Sequence, residues 1–182
     1  MKTSQEGSTN NSQEENIKDL SGKVAVEKLR DLAEEAETCF FCTNIKTGIP
    51  ISVRPMAIQQ IDDEGNIWFM SMKDSNKNKE IEADPFTNLM FQASAHAGFV
   101  NIYGIAEISR DQAKIDKIWN PLIKTWFQGG KDDPNISLIK VVPSEGYYWD
   151  NKHGNTIAFL KMAASAVIGK TMDDSVEGNL GL

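Results

Sequence analysis

At 182 residues the chain is long enough for one domain with a sizeable core, or for one domain flanked by tails. A formal net charge of -7 weighs against a general nucleic-acid binder, which needs a basic face. No apolar run approaches the roughly 18–20 residues of a membrane span, and the polar N-terminus lacks the layout of a secretory signal, so a cytoplasmic protein is expected.

Residues 1–20 are rich in Ser, Asn, Gln and Glu and read as a disordered N-terminal tail. A helix is predicted over about 21–37, where Val26, Leu29, Ala33 and Ala36 recur at spacings of three and four. Residues 39–45 then read as a strand, followed by a turn at Thr47-Gly48. A second strand is expected over 51–61, and Asp62-Asp63-Glu64-Gly65-Asn66 closes a hairpin onto a third over 67–72. Pro55 cannot donate to a ladder, so its strand should be open there, at an edge or a bulge.

A short helix from Ser75 to about Ala83 should end before Asp84-Pro85, because the residue before proline disfavours helix. Two further strands are read over 86–93 and 98–108. Ser109-Arg110-Asp111-Gln112 has the form of a capping box and opens a helix with Ile115, Ile118, Trp119 and Leu122 on one face. Residues 126–134 are a loop by composition, and the last strands are expected over 137–142 and 145–150, separated by Pro143. Residues 169–182 read as a loose C-terminal tail in which Leu182 could still dock, leaving one domain over 21–168. The order is a strand meander with short helices at its connections, an antiparallel α+β barrel rather than an alternating βαβ array.

Cys39 and Cys42 form a Cys-Phe-Phe-Cys pair, but a metal site needs further ligands and the only histidines are His96 and His153. On a strand, residues three apart face opposite ways, so buried core thiols are the better reading and no metal is expected. The informative segment runs from Arg54 to Pro85. Arg54 lies on a strand and offers a planar fork that suits phosphate oxygens, although an arginine there equally suits a salt bridge to one of many acids. Lys77 and Lys79 stand near a helix start, where the macrodipole disfavours cations unless an anion binds. Ser75 adds a hydroxyl or a cap at the same place.

Three ordered pieces carry a resemblance: Arg54-Pro55-Met56; then Met70-Ser71 ending a strand; then Ser75-Asn76-Lys77 leading to Glu80-Ile81 and Asp84-Pro85. Together they resemble pyridoxamine 5'-phosphate oxidase-like flavoproteins with the FMN-binding split barrel. Trp119-Asn120-Pro121, the segment from Trp126 to Pro134, and Tyr147-Tyr148-Trp149-Asp150 are similar to the bacterial general stress protein branch. The resemblance implies a homodimer of split barrels with FMN at the subunit interface. It implies that Arg54 and Lys77 take the phosphate, with Ser75 assisting. The backbones at Pro55-Met56 and Met70-Ser71 would border the ribityl chain and ring, and Trp149 would reach the flavin from the second subunit.

Two departures narrow what is implied. Asn76 stands where the oxidases commonly carry a second basic residue. The oxidases' late Arg-x-His pair is replaced by Trp149-Asp150-Asn151-Lys152-His153, so oxidation of vitamin B6 phosphates does not carry over. The expected activity is that of an FMN-dependent oxidoreductase on an unidentified small molecule in a stress-related role. The alternatives are a non-catalytic flavin-binding or interaction protein, or a barrel holding deazaflavin or haem, the last disfavoured by the lack of an obvious axial histidine.

Overall fold

The computed structural model describes residues 16–48, 50–94, 97–152 and 174–182. Its first helix, α1 (Gly22–Ala36), buries Ala25, Val26, Leu29, Leu32 and Ala33, the stripe that the three-and-four spacing requires. The chain leaves α1 through Glu37 at φ 59°, whose N–H bonds the carbonyl of Ala33 at 2.9 Å.

Among the described residues nine strands form one mixed sheet: β1 (Leu20–Ser21), β2 (Thr38–Thr43), β3 (Ser52–Ala57), β4 (Gln60–Ile61), β5 (Ile67–Met72), β6 (Phe86–Gln92), β7 (Phe99–Ser109), β8 (Ile136–Asn151) and β9 (Ser175–Gly181). The path runs β1-β9-β8-β7-β6-β2-β3, with β5 also on β8 and β4 on β5. Among the described residues it is open, ending at β3, so Pro55 lies on an edge strand as its missing N–H requires. All pairings are antiparallel except β1 with β9 and a bridge from Ile17 to Glu177. The fold is α+β, with α2 (Asn76–Ala83), α3 (Gln112–Ile118) and two 3₁₀ turns (Pro121–Thr125, Gly130–Asp132) at the connections.

Several expectations are corrected. The single strand read over 51–61 is broken at Ile58-Gln59, where the amide of Ile58 turns to Glu37 (3.0 Å) and that of Gln59 to Trp68 (2.9 Å). The chain thereby passes from a ladder with β2 to a ladder with β5. The two last strands are instead one, β8, because a bulge absorbs Pro143. Tyr103 pairs with Glu145 and Gly104 with Pro143, leaving Ser144 as the extra residue. Asp111, not Ser109, caps α3 by accepting from the amides of Ala113 (3.0 Å) and Lys114 (3.2 Å). Ser109 is still in β7, so Gln112 bonds outward to Asp116 and Lys131 instead of closing a box.

The C-terminal stretch is not a loose tail throughout, since β9 pairs with β8 and buries Leu180. Its strand signal is weak because glycine is needed: a Cβ at Gly178 would meet the carbonyl oxygen of Lys18 at 2.2 Å. Residues 16–20, assigned to the other tail, complete this corner. Lys18 donates to Glu177 at 2.7 Å, and the Tyr148 hydroxyl donates to Lys18 at 2.8 Å.

The main core lies between α1 and the sheet, where Phe41 on β2 and Phe69 on β5 meet edge to face at 5.1 Å. A second cluster of Ile115, Ile118, Ile123, Phe127, Ile136 and Leu138 supports the α3 side. Cys39 and Cys42 are buried free thiols, and burial pushes both pKa values up.

Candidate functional site

A cavity of about 840 Å³ opens beside β3, β4 and β5, large enough for a cofactor-sized ligand. Pro55 and Met56 line it from β3, Met70 and Ser71 from β5, and Lys77 from α2. These five residues, which the resemblance implies as flavin-binding positions on three separate elements, line one cavity. Leu122, Ile123, Trp126 and Phe127 also line it, with Met70 packed against the cluster that contains Ile123 and Phe127. Trp126 is 72 % exposed and Leu122 82 %, so this rim presents apolar surface to solvent instead of the core-facing stripe expected of Leu122.

α2 begins where its cap dictates. The Ser75 hydroxyl accepts from the Asn78 amide at 3.3 Å, so Ser75 serves as the helix cap. Below it lies a polar knot. The Ser71 hydroxyl donates to Oδ1 of Asn78 at 2.8 Å, and Nδ2 of Asn78 donates to the Ser137 hydroxyl at 2.8 Å. Ser137 in turn donates to the Ser71 carbonyl at 3.2 Å. Asn78 and Ser137 are each 1 % exposed, and neither was evident from the sequence, where both look like ordinary polar positions. Asn76, by contrast, is exposed.

Arg54 lies just beyond the cavity, on the face of β3 that also carries Met56. Its Nη1 donates to the Thr43 hydroxyl and its Nη2 to Oε2 of Glu80, both at 2.6 Å. The salt-bridge alternative for Arg54 is thus realised, through an acid one turn along α2 from Lys77. Desolvation pushes the Glu80 carboxyl up, but the Thr43 and Arg54 hydrogen bonds and the Arg54 charge outweigh it and hold its pKa below the ordinary range. Lys77 is half-buried, and its pKa is lowered first by burial and then by the Arg54 charge, against a smaller pull from Glu80. Among the described residues Lys77 has no ion-pair partner. Two cations thus converge against a single acid, a donor set that suits an anion.

Trp149 is apart from this group. Ser137 pairs with Ser71 beside the cavity, whereas Trp149 lies at the distal end of the same strand, paired with Phe99 and Glu177. It is half-exposed, with the Tyr147 ring 4.7 Å away. The outer face of the sheet carries exposed apolar side chains among polar ones: Phe40 is 56 % exposed and lies in register with Pro55 and Met90, with Val53 and Tyr103 nearby and Asn88 and Asn101 between them. His96 and His153 lie outside the described residues, and among the described residues no cluster of metal ligands occurs.

A sequence profile described as pyridoxamine 5'-phosphate oxidase like matches residues 24–173. The chain belongs to that family. It is 29% identical over 82 residues to general stress protein 26 of Bacillus subtilis, a match covering 43% of this chain and 58% of that one. It is also 29% identical over 112 residues to the protein bli-3 of Neurospora crassa, covering 57% of this chain and 53% of the relative. The chain therefore spans just over half the length of each of these relatives.

Among solved structures, a protein assigned to general stress protein 26 from Jannaschia sp. CCS1 superposes with a TM-score of 0.72 at 23% identity, covering 88% of this chain and 100% of that one. The general stress FMN/FAD binding protein of Xanthomonas citri superposes at 0.59 with 28% identity, covering 69% of this chain and 87% of its own. These relatives belong to the general stress protein branch of the family. No helix among the described residues is long and apolar enough to cross a membrane.

Proposed function

We propose that the protein is a cytoplasmic FMN-binding flavoprotein of the stress-protein branch, acting as an oxidoreductase on a small molecule. The observation that carries the reading is the 840 Å³ cavity with Lys77 in its lining and Arg54 next to Pro55 at its margin, the two cations close enough for the Arg54 charge to act on Lys77. A flavin phosphate would be held by the Arg54 fork from β3 and the Lys77 ammonium from α2, with Ser75 fixing the helix start that presents Lys77. The Pro55-Met56 and Met70-Ser71 walls would border the ribityl chain and ring. FMN, when bound, supplies the hydride or electron chemistry, and the protein orients it and excludes water.

The same reading includes a homodimer of split barrels. Its support is the curl that brings Phe41 to Phe69 and the exposed apolar face around Phe40, which a second copy would cover. Trp149 sits too far along β8 to serve its own cavity and would serve the partner's. A flavin-binding protein without turnover is the second reading. It is favoured by the cavity lining, whose ionisable groups are Glu34, Glu37 and Lys77.

The deciding experiment is reconstitution with FMN followed by exhaustive dialysis. A retained flavin spectrum is expected, and complete loss would reject the proposal. Oxidation of reduced nicotinamide by the flavin-loaded protein would then separate the enzyme from the passive binder.

A further inference from the structure

We propose that Glu80 sets the charge, and hence the selectivity, of the anion subsite. The inference rests on the reading of Arg54 and Lys77 as phosphate ligands. Glu80 Oε2 accepts from two groups, the Thr43 hydroxyl and Arg54 Nη2, and the Thr43 oxygen in turn accepts from Arg54 Nη1. Arg54 is thus oriented twice, once by a neutral hydroxyl and once by a carboxylate. Only the second contact changes the charge of the site. Lys77 stands three residues earlier on the same helix face, and the Arg54 charge acts on both it and Glu80.

With Glu80 ionised the cluster carries two positive charges and one negative, a sum of one. Its depressed pKa keeps it ionised through the neutral range, so the sum does not drift with physiological pH. A phosphate monoester binding there gains from both cations and is opposed by Glu80. The subsite therefore accepts a phosphate without holding it at the strength of an uncompensated cation pair. Thr43 keeps the fork in place when the carboxylate is neutralised, because Nη1 donates to it independently.

Glu80→Gln separates charge from orientation, since the amide oxygen still accepts from Nη2. FMN affinity, read by quenching of flavin fluorescence on the apoprotein, is expected to tighten by about tenfold or more. Riboflavin, which lacks the phosphate, should shift by less than about twofold. In parallel, inorganic phosphate should raise the melting temperature of the apo variant more than that of the apo parent. Should Glu80→Gln fold poorly, Asn76→Arg adds a cation at an exposed first-turn position and should tighten FMN over riboflavin in the same direction. Unchanged or weaker FMN binding in a folded Glu80→Gln protein would overturn the role of Glu80 alone. Equal affinity of the parent for FMN and riboflavin, unaltered by loss of Arg54 and Lys77, would overturn the phosphate reading beneath it as well.

Discussion

The side-chain amide of Asn78 donates to the hydroxyl of Ser137 at 2.8 Å, joining the helix that carries Lys77 to the strand that runs behind the cavity. The contact links residues 59 apart in sequence, and both side chains are almost wholly buried. α2 has little apolar surface of its own, burying Asn78 and Ile81, so this amide is a principal anchor of the helix. Asn78→Ala should leave the Ser71 and Ser137 hydroxyls short of partners and cost about 2–4 kcal/mol. Denaturant unfolding measures it, and a loss below about 1 kcal/mol would show that water replaces the amide freely.

Loss of the two cations should act on the phosphate and not on the rest of the flavin. Arg54→Ala with Lys77→Ala is expected to weaken FMN by about a hundredfold or more, while riboflavin changes little. Comparing the two ligands by titration removes the contribution of any loosening of β3 or α2. FMN affinity within a factor of two of the parent would reject these residues as its ligands.

Lys77 and Glu80 act at opposite ends of the pH scale. The folded-state pKa of Lys77 lies below its unfolded value, so its charged form opposes folding at neutral pH, and that cost is relieved as pH rises from the folded to the unfolded pKa. A bound phosphate needs the charged form. Selectivity for FMN over riboflavin should therefore decline on the alkaline side before the ordinary lysine range is reached. Glu80 has a depressed folded pKa, so its contribution is complete above its unfolded pKa and is lost as pH falls through the folded one. Apoprotein stability measured against pH should show that acid loss, and Glu80→Gln should reduce it.

The exposed face around Phe40 offers a direct check on assembly. The parent should scatter light as a species of twice 20.2 kDa at micromolar concentration. Phe40→Asp places a charge where a second copy would bury it, at a side chain 56 % exposed in the monomer, so the fold should survive. The variant is expected to be monomeric and to lose flavin on dialysis. A parent that is already monomeric would remove the dimer from the proposal.

The elements around the cavity were legible because each follows a local rule, whereas their part in a common site was implied by the ordered resemblance. Ser75 reads as a cap, Pro55 as an edge residue, and Met70-Ser71 as the end of a β-rich run, and each occupies that place. Partner choice between distant elements was not legible. Nothing local to Glu80 distinguishes it from Glu82 on the same helix, yet only Glu80 meets Arg54. Asn78 likewise looks like a surface residue until Ser137 arrives from β8. β9 escaped notice for a different reason: two glycines within the strand, one of them (Gly178) required by the close approach of Lys18, remove the apolar alternation by which strands are recognised.

Long strands with alternating side chains can pair in several offsets two residues apart, and β7 with β8 forms eleven residue pairs. At position 104 a Cβ would come within 2.6 Å of the Val142 carbonyl oxygen, so a glycine is needed beside the bulge. An offset of two would bring Ile102 or Ala106 to that place, and both carry side chains. The Gly104 notch and the Pro143 gap thus behave as a keyed joint that stalls a mispaired ladder before it can close. Gly104→Ala would set a Cβ against that oxygen in the native register itself, so the stability of the folded protein and the refolding yield should both fall.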